Sequence, residues 1–350
     1  MPLPLSGHRA FALSFAIIAA CAVPETTFTD KACDPSHLCP DALVCRGGHC
    51  RDPDDSSATV WSPESSWNKP IDAAPELAPG SAAMVAKIAA LKPPTAGIQL
   101  NRDAYTPIVA YADANAELVV VSGLPGGWRM DDVPMPADAI LAGDPSGLLV
   151  IVDIARNRVW NIGGAARSGA SMTGYGYAVY RADGPGWWDA TTSVNAGYAS
   201  GASYLGGLIF PEEIRAGYIP HALAIQIDPS AVATTAVAPA LYPASGSIAD
   251  GVPAGSLLQL EPTYDLTRLG AEARVIAEAW KTFGAFVVDR GSGVALLFRS
   301  SHNLPNDPYA GMDLSGLDGE LLRHLRVIAP RASFAYDSAE TFAPPVPYQP

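Results

Sequence analysis

Short apolar runs, each followed by turn-forming residues, constrain the fold of this chain more than any other feature. The runs are residues 118–122, 148–153, 158–162, 222–227 and 256–260. Segments of this length are typical of strands, whereas an average helix is about twice as long. The 32 glycines and 32 prolines supply frequent turns. Residues 81–91 and 270–284 instead have apolar side chains at helical spacing. We therefore predict a mainly β fold, a sandwich or jelly-roll-like domain with two or three short helices.

The first twenty residues have the pattern of an export signal. His8 and Arg9 precede an unbroken apolar run over 10–20, which is too short to span a bilayer. The run ends in Ile18-Ala19-Ala20-Cys21, which resembles the lipobox of bacterial lipoproteins. The resemblance implies lipidation of Cys21 and attachment to the membrane through lipid alone, at the outer membrane or cell surface. The alternative is an ordinary signal peptide followed by an incidental cysteine.

Four more cysteines follow, and they predict a small crosslinked module. In an exported protein they favour two disulfides, with three possible pairings, because so short a segment cannot bury a core. A zinc site that includes His37 and His49 is the alternative, but the spacing lacks the paired C-x₂-C form of structural zinc sites. The four residues are Cys33, Cys39, Cys45 and Cys50.

Charge and motif content exclude several classes of function. The net charge is -13 and the isoelectric point is near 4.8, which argues against a nucleic-acid partner, because affinity for phosphates depends on Lys and Arg. The sequence contains no phosphate-binding glycine loop, no G-x-S-x-G and no H-E-x-x-H. We expect no cofactor and no metal. The predicted organisation is a signal peptide over 1–20, a lipidated, cysteine-rich module with a linker over 21–60, and one β-rich domain over 61–350.

The segment 206–227 is the strongest candidate for a functional site. It places Glu212-Glu213 and His221 close together, directly before an apolar strand. A carboxylate beside a histidine can transfer protons. The alternative is structural: the acids cap a one-turn helix that ends at Gly217, and His221 is a core histidine bonded to a carboxylate. The glycines of this segment look architectural.

Two hypotheses for the function follow. The first is an enzyme acting on polysaccharide, either a glycoside hydrolase, which needs two carboxyl groups, or a lyase, which needs a base. Its proposed catalytic residues are Glu213, His221 and Asp289, with Glu212 and Asp265 as further acids. The proposed substrate-binding residues are Tyr177, Trp187, Trp188 and Asp250, the aromatic ones by stacking on a sugar ring. For Trp187 and Trp188 the alternative is a loop that folds back on its own sheet. The second hypothesis is a non-catalytic surface lipoprotein that binds glycan or protein. The enzyme requires two of the three catalytic residues within about 10 Å of each other.

The same segment resembles a motif of uncharacterised secreted proteins of bacteria and some fungi. The matching residues read Gly207-Leu-Ile-x-x-Glu-Glu213-x-x-x-Gly217-x-Ile219-x-His221-Ala-Leu223. Further matches at 242–244, 250–260 and 283–289 extend the resemblance from about 116 to 299, although Ile225, Gln226 and Trp280 depart from it. The resemblance implies a β-rich extracellular domain, sometimes found near carbohydrate-related modules. It supplies no catalytic residues.

Overall fold

The computed structural model describes residues 44–46, 49–51, 60–113, 115–136, 139, 141, 146–153, 155–169, 171–187, 197–302 and 306–331. This part of the chain is mainly β, as the sequence predicts, and contains four helices. The proposed signal peptide, Cys21, Cys33 and Cys39 lie outside the described residues. Within the described ranges, no helix has the length and apolarity that a membrane crossing requires.

The helices are α1 Ser81–Ala90, α2 Pro211–Ala216, α3 Ala271–Thr282 and α4 Gly319–Arg323. The apolar spacing predicts α1 and α3, and both are present. Gly80 occupies the N-cap position of α1, so Ser81, the first helical residue, does not cap the helix. The Ser81 hydroxyl instead accepts the N–H of Val327 at 2.8 Å and so ties the helix to the last strand.

The strands are β1 Val44–Arg46, β2 His49–Arg51, β3 Gln99–Asn101, β4 Ile108–Tyr111, β5 Glu117–Ser122, β6 Met130–Met135, β7 Leu149–Asp153, β8 Arg158–Gly163, β9 Ala166–Ser168, β10 Ser171–Thr173, β11 Gly176–Arg181, β12 Leu223–Ile227, β13 Val232–Ala236, β14 Val252–Ala254, β15 Leu257–Leu260, β16 Ala285–Arg290, β17 Val294–Leu297 and β18 Leu325–Ile328. Three larger sheets have the orders β18-β15-β16-β12-β17-β3, β11-β8-β7-β4 and β6-β5-β10-β9. Each contains a parallel pair: β12 with β16, β4 with β7, and β5 with β10. A jelly roll consists of antiparallel strands, so the jelly-roll part of the predicted fold is wrong. Parallel neighbouring strands need a crossover connection, and the pattern of short apolar runs does not show which strands are joined in this way.

The sheet β11-β8-β7-β4 is the middle layer of the domain, because it is apolar on both faces. On β7, Leu149 and Ile151 join the core shared with the sheet that contains β5. Val150 and Val152, which point the opposite way, join the larger core of the six-stranded sheet. Alternation along a strand thus explains why the whole apolar run of β7 is buried.

Trp67 anchors the start of the domain beneath the candidate site. Its buried ring stacks on Trp187 at a centroid distance of 5.0 Å and meets Phe286 edge-on. A Cβ atom on Gly206 would lie 2.6 Å from this ring, and one on Gly207 would lie 2.4 Å from the backbone nitrogen of Ala224. Close approach therefore requires glycine at both positions, which confirms that these glycines are architectural.

The cysteine-rich region contributes one described pair of strands. Strands β1 and β2 are antiparallel, and their register places Cys45 opposite Cys50. The two predicted disulfides remain a prediction.

Candidate functional site

The candidate site is built around α2, which the local sequence determines. Pro211 occupies the first turn, where its missing N–H costs nothing. The Glu213 carboxylate accepts the N–H of Phe210 at 3.3 Å and so caps the helix start. Gly217 ends the helix in the left-handed conformation, with φ +76°. The one-turn helix that we weighed as the structural alternative is therefore present.

Glu213 and His221 meet, as the functional hypothesis requires. His221 Nε2 lies 3.2 Å from Glu213 Oε2, and the two side chains are 15% and 8% exposed. The other ring nitrogen, Nδ1, lies 2.9 Å from the carbonyl oxygen of Ala222. Both nitrogens of His221 therefore face oxygen atoms of the protein, as expected for a histidine that is part of the packed structure.

Glu212 points to a different partner, because successive residues on a helix lie about 100° apart and do not share a face. Its Oε1 accepts Arg299 Nη1 at 3.2 Å, and both side chains are 4% exposed. Arg299 also donates to the carbonyl oxygen of Val109 on β4 at 3.2 Å. Since β4 is an edge strand of the middle sheet, this arginine joins α2, the end of β17 and a sheet edge.

This buried ion pair is incompletely satisfied. Glu212 Oε2 and Arg299 Nε have no hydrogen-bond partner among the described residues. Burial raises the pKa of Glu212, and the positive charge of Arg299 opposes that shift. Burial also raises the pKa of Tyr111, with Arg299 again opposing and the two glutamates adding to the shift, so the phenol stays neutral. The hydroxyl of Tyr309 donates to the carbonyl oxygen of Arg299 at 2.7 Å.

Asp289 does not belong to this site. It lies near the end of β16, level with Gln226 in the parallel pairing with β12. Because His221 lies five positions before Gln226 on the chain, it and Asp289 are separated by roughly 16 Å along the strand direction, at about 3.3 Å per residue. The Asp289 carboxylate accepts the N–H of Ala199 at 3.3 Å and so holds the backbone at that residue. Burial raises its pKa to about 6.

Among the proposed substrate-binding residues, the three that the structure describes do not form a common surface. Tyr177 is 2% exposed within the core between the two four-stranded sheets. Trp187 is 3% exposed; it stacks on Trp67 and donates from Nε1 to Ser66 Oγ at 3.0 Å. Neither ring can stack on a ligand, which corrects that expectation. Asp250 is exposed and pairs with Lys87 of α1 at 2.8 Å, while Trp188 lies outside the described residues.

The sequence analysis missed Arg299 and Tyr111. A signal for Arg299 does exist: it follows the apolar run 294–298 directly, in a chain with only 22 lysines and arginines. A cation at the end of a buried strand needs a buried acid. Tyr111 has no comparable signal, because a tyrosine that ends a strand is common on any sheet.

Within the described part of the chain, no group of three or more histidine, cysteine, aspartate or glutamate residues is arranged to hold a metal ion. Comparison of the chain with protein-family models, with curated proteins and with solved structures gave no match.

Proposed function

We propose that this chain is an exported lipoprotein, anchored through Cys21 at the cell envelope, whose β-rich domain binds a glycan or a protein without chemically changing it. The disulfide-crosslinked module of 21–60 would serve as the spacer between the anchor and the domain. The acidic surface is consistent with a partner other than nucleic acid.

One observation carries the non-catalytic assignment: every described candidate for chemistry is already engaged in a structural contact. His221 faces an oxygen on each side of its ring. Glu213 caps α2, and Glu212 neutralises a buried arginine. Asp289 fixes a loop on another part of the sheet. A general base needs a free lone pair within reach of the substrate, and these contacts leave His221 without one.

A catalytic role is the second candidate, because Glu213 and His221 do meet at 3.2 Å. This distance satisfies the condition that two of the three proposed residues lie within about 10 Å. Tyr218, which is 45% exposed and follows the C-cap residue Gly217 of α2, would offer an aromatic surface for a sugar. In this second case Glu213 would orient the ring, and His221 would exchange its bond to the Ala222 carbonyl for one to the substrate.

A paired binding and turnover screen separates the two candidates. The purified full-length protein is tested against immobilised polysaccharides for binding and against the same polysaccharides in solution for new reducing or unsaturated ends. The variants Glu213→Gln and His221→Gln are measured in parallel, with circular dichroism as the check on folding.

Binding of a polysaccharide by the unchanged protein, without formation of new reducing or unsaturated ends, supports the non-catalytic assignment. Product that both folded variants fail to form would overturn it and establish the catalytic role. Lipidation is tested separately: a Cys21→Ser variant should move from the membrane fraction to the soluble fraction, and mass spectrometry should find acyl chains on the unchanged protein alone.

A further inference from the structure

His221 faces two hydrogen-bond acceptors, one at each ring nitrogen, but a neutral imidazole has only one N–H to donate. Its two ring nitrogens lie 2.9 Å from the Ala222 carbonyl oxygen and 3.2 Å from Glu213 Oε2. A neutral ring has one N–H and can donate to one of these acceptors; the imidazolium donates to both. The observed geometry is therefore satisfied on both sides when His221 is positively charged.

The extra proton belongs on the histidine rather than on the glutamate. Glu213 Oε2 also accepts the N–H of Phe210 at 3.3 Å, so this oxygen already serves as a hydrogen-bond acceptor for the backbone. Both side chains are largely shielded from water, so their attraction is screened less than that of a surface pair. We propose that Glu213 and His221 form a proton-dependent latch that holds α2 against the start of β12.

Other charged and titratable groups lie on α2 and on the described elements that are packed near it. On α2, Glu212 is neutralised by Arg299, and Arg215 donates to the carbonyl oxygen of Pro308. Tyr111 and Tyr309 also face this region, and burial raises the pKa of both, so both remain neutral. The packed helix α3 contributes two acidic and two basic residues. Those α3 residues are Glu272, Arg274, Glu278 and Lys281.

Loss of the second ring proton removes one of the two hydrogen bonds and turns a nitrogen lone pair towards an oxygen. The segments on either side of the latch are fixed by other bonds. Before it, the Ile209 N–H donates to Leu297 at 3.0 Å; after it, the Ala224 N–H donates to the Gly207 carbonyl at 2.9 Å. Opening should therefore be local, confined to residues 210–221, rather than a global unfolding.

The protonation state can be observed directly. In the full-length protein, ¹H–¹⁵N correlation spectra of the histidine rings should show His221 with both nitrogens protonated at pH 7. Hydrogen exchange measured from pH 6 to pH 9, corrected for the intrinsic effect of pH, should show protection across 210–221 falling about 10- to 100-fold. This range follows from the loss of one charge-assisted hydrogen bond. Helix α3 should keep its protection over the same range.

Two variants complete the test. His221→Gln keeps one donor for Glu213 and cannot titrate, so its exchange across 210–221 should not vary with pH. His324→Gln is the matched control: His324 lies 3.5 Å from Glu261 and 3.3 Å from Glu320, but its side chain is 38% exposed. This substitution should leave the pH dependence at α2 unchanged. A neutral His221 ring at pH 7, or protection across 210–221 that stays constant to pH 9, would overturn the proposal.

Discussion

Removal of the buried arginine tests whether the polar cluster stabilises the domain. Arg299→Met keeps most of the side-chain volume but leaves Glu212 charged, 5% exposed and without its partner. Breaking a buried ion pair from one side typically costs about 3–5 kcal/mol of unfolding free energy. The lost bond to the Val109 carbonyl is part of that cost.

The same variant should respond to pH in a defined direction. Burial raises the pKa of Glu212 and Arg299 opposes this shift, so the pKa should rise further in Arg299→Met. A carboxyl group whose pKa is higher in the folded than in the unfolded protein favours folding below its unfolded value of 4.5. That contribution is lost as the pH rises through the folded pKa. The cost of the substitution should therefore be smaller at pH 5 than at pH 8.

Urea denaturation followed by tryptophan fluorescence measures both effects. The control is a double-mutant cycle with Glu212→Gln, which removes the charge at nearly constant shape. The double variant Glu212→Gln, Arg299→Met should be more stable at pH 8 than Arg299→Met alone, because no unpaired charge remains buried. A loss below about 1 kcal/mol, or an equal loss at pH 5 and pH 8, would refute the reasoning.

Three further predictions concern other parts of the domain. Gly207→Ala should destabilise the protein more than the matched Gly217→Ala. Both residues have positive φ, +69° and +76°. A Cβ on Gly207 would lie 2.4 Å from the Ala224 nitrogen, whereas one on Gly217 would meet nothing within 4 Å. Thermal denaturation of the two variants checks this prediction, and equal midpoints would contradict it. Asp289 has a pKa raised to about 6, so its contribution to stability is full below the ordinary carboxyl pKa and is lost as the pH rises through about 6. Asp289→Asn should lack this part of the pH dependence in urea denaturation, and an unchanged pH profile would count against it. Lys87→Ala removes an exposed ion pair and should leave the urea midpoint unchanged.

The local features of the candidate site could be read from the sequence. A one-turn helix is specified by Pro211 at its start, Glu212-Glu213 in its first turn and Gly217 at its end. The structure contains this helix. The sequence also indicates that His221 follows closely, and the pair forms at 3.2 Å. These predictions succeed because all the residues lie within ten positions of one another, where backbone geometry leaves few arrangements.

Contacts between distant residues could not be read in the same way. Arg299 is 87 positions from Glu212, and it reaches that carboxylate because the end of β17 lies beside α2 in the folded domain. Asp289, Tyr177 and Trp187 failed as site residues for the same reason. Asp289 sits about five residues further along a parallel pair than His221, and Trp187 turns inward onto Trp67.

The sequence by itself determined the class of fold, the positions of α1 and α3, the glycine that ends α2 at 217 and the local pairing at α2. These follow from hydrophobic period, turn chemistry and steric limits, which act over a few residues. The tertiary structure alone decided the mixed sheets, the middle layer that is buried on both faces, and the partner of each buried charge. Those depend on which strands become neighbours, and that choice is made by the packing of the whole core.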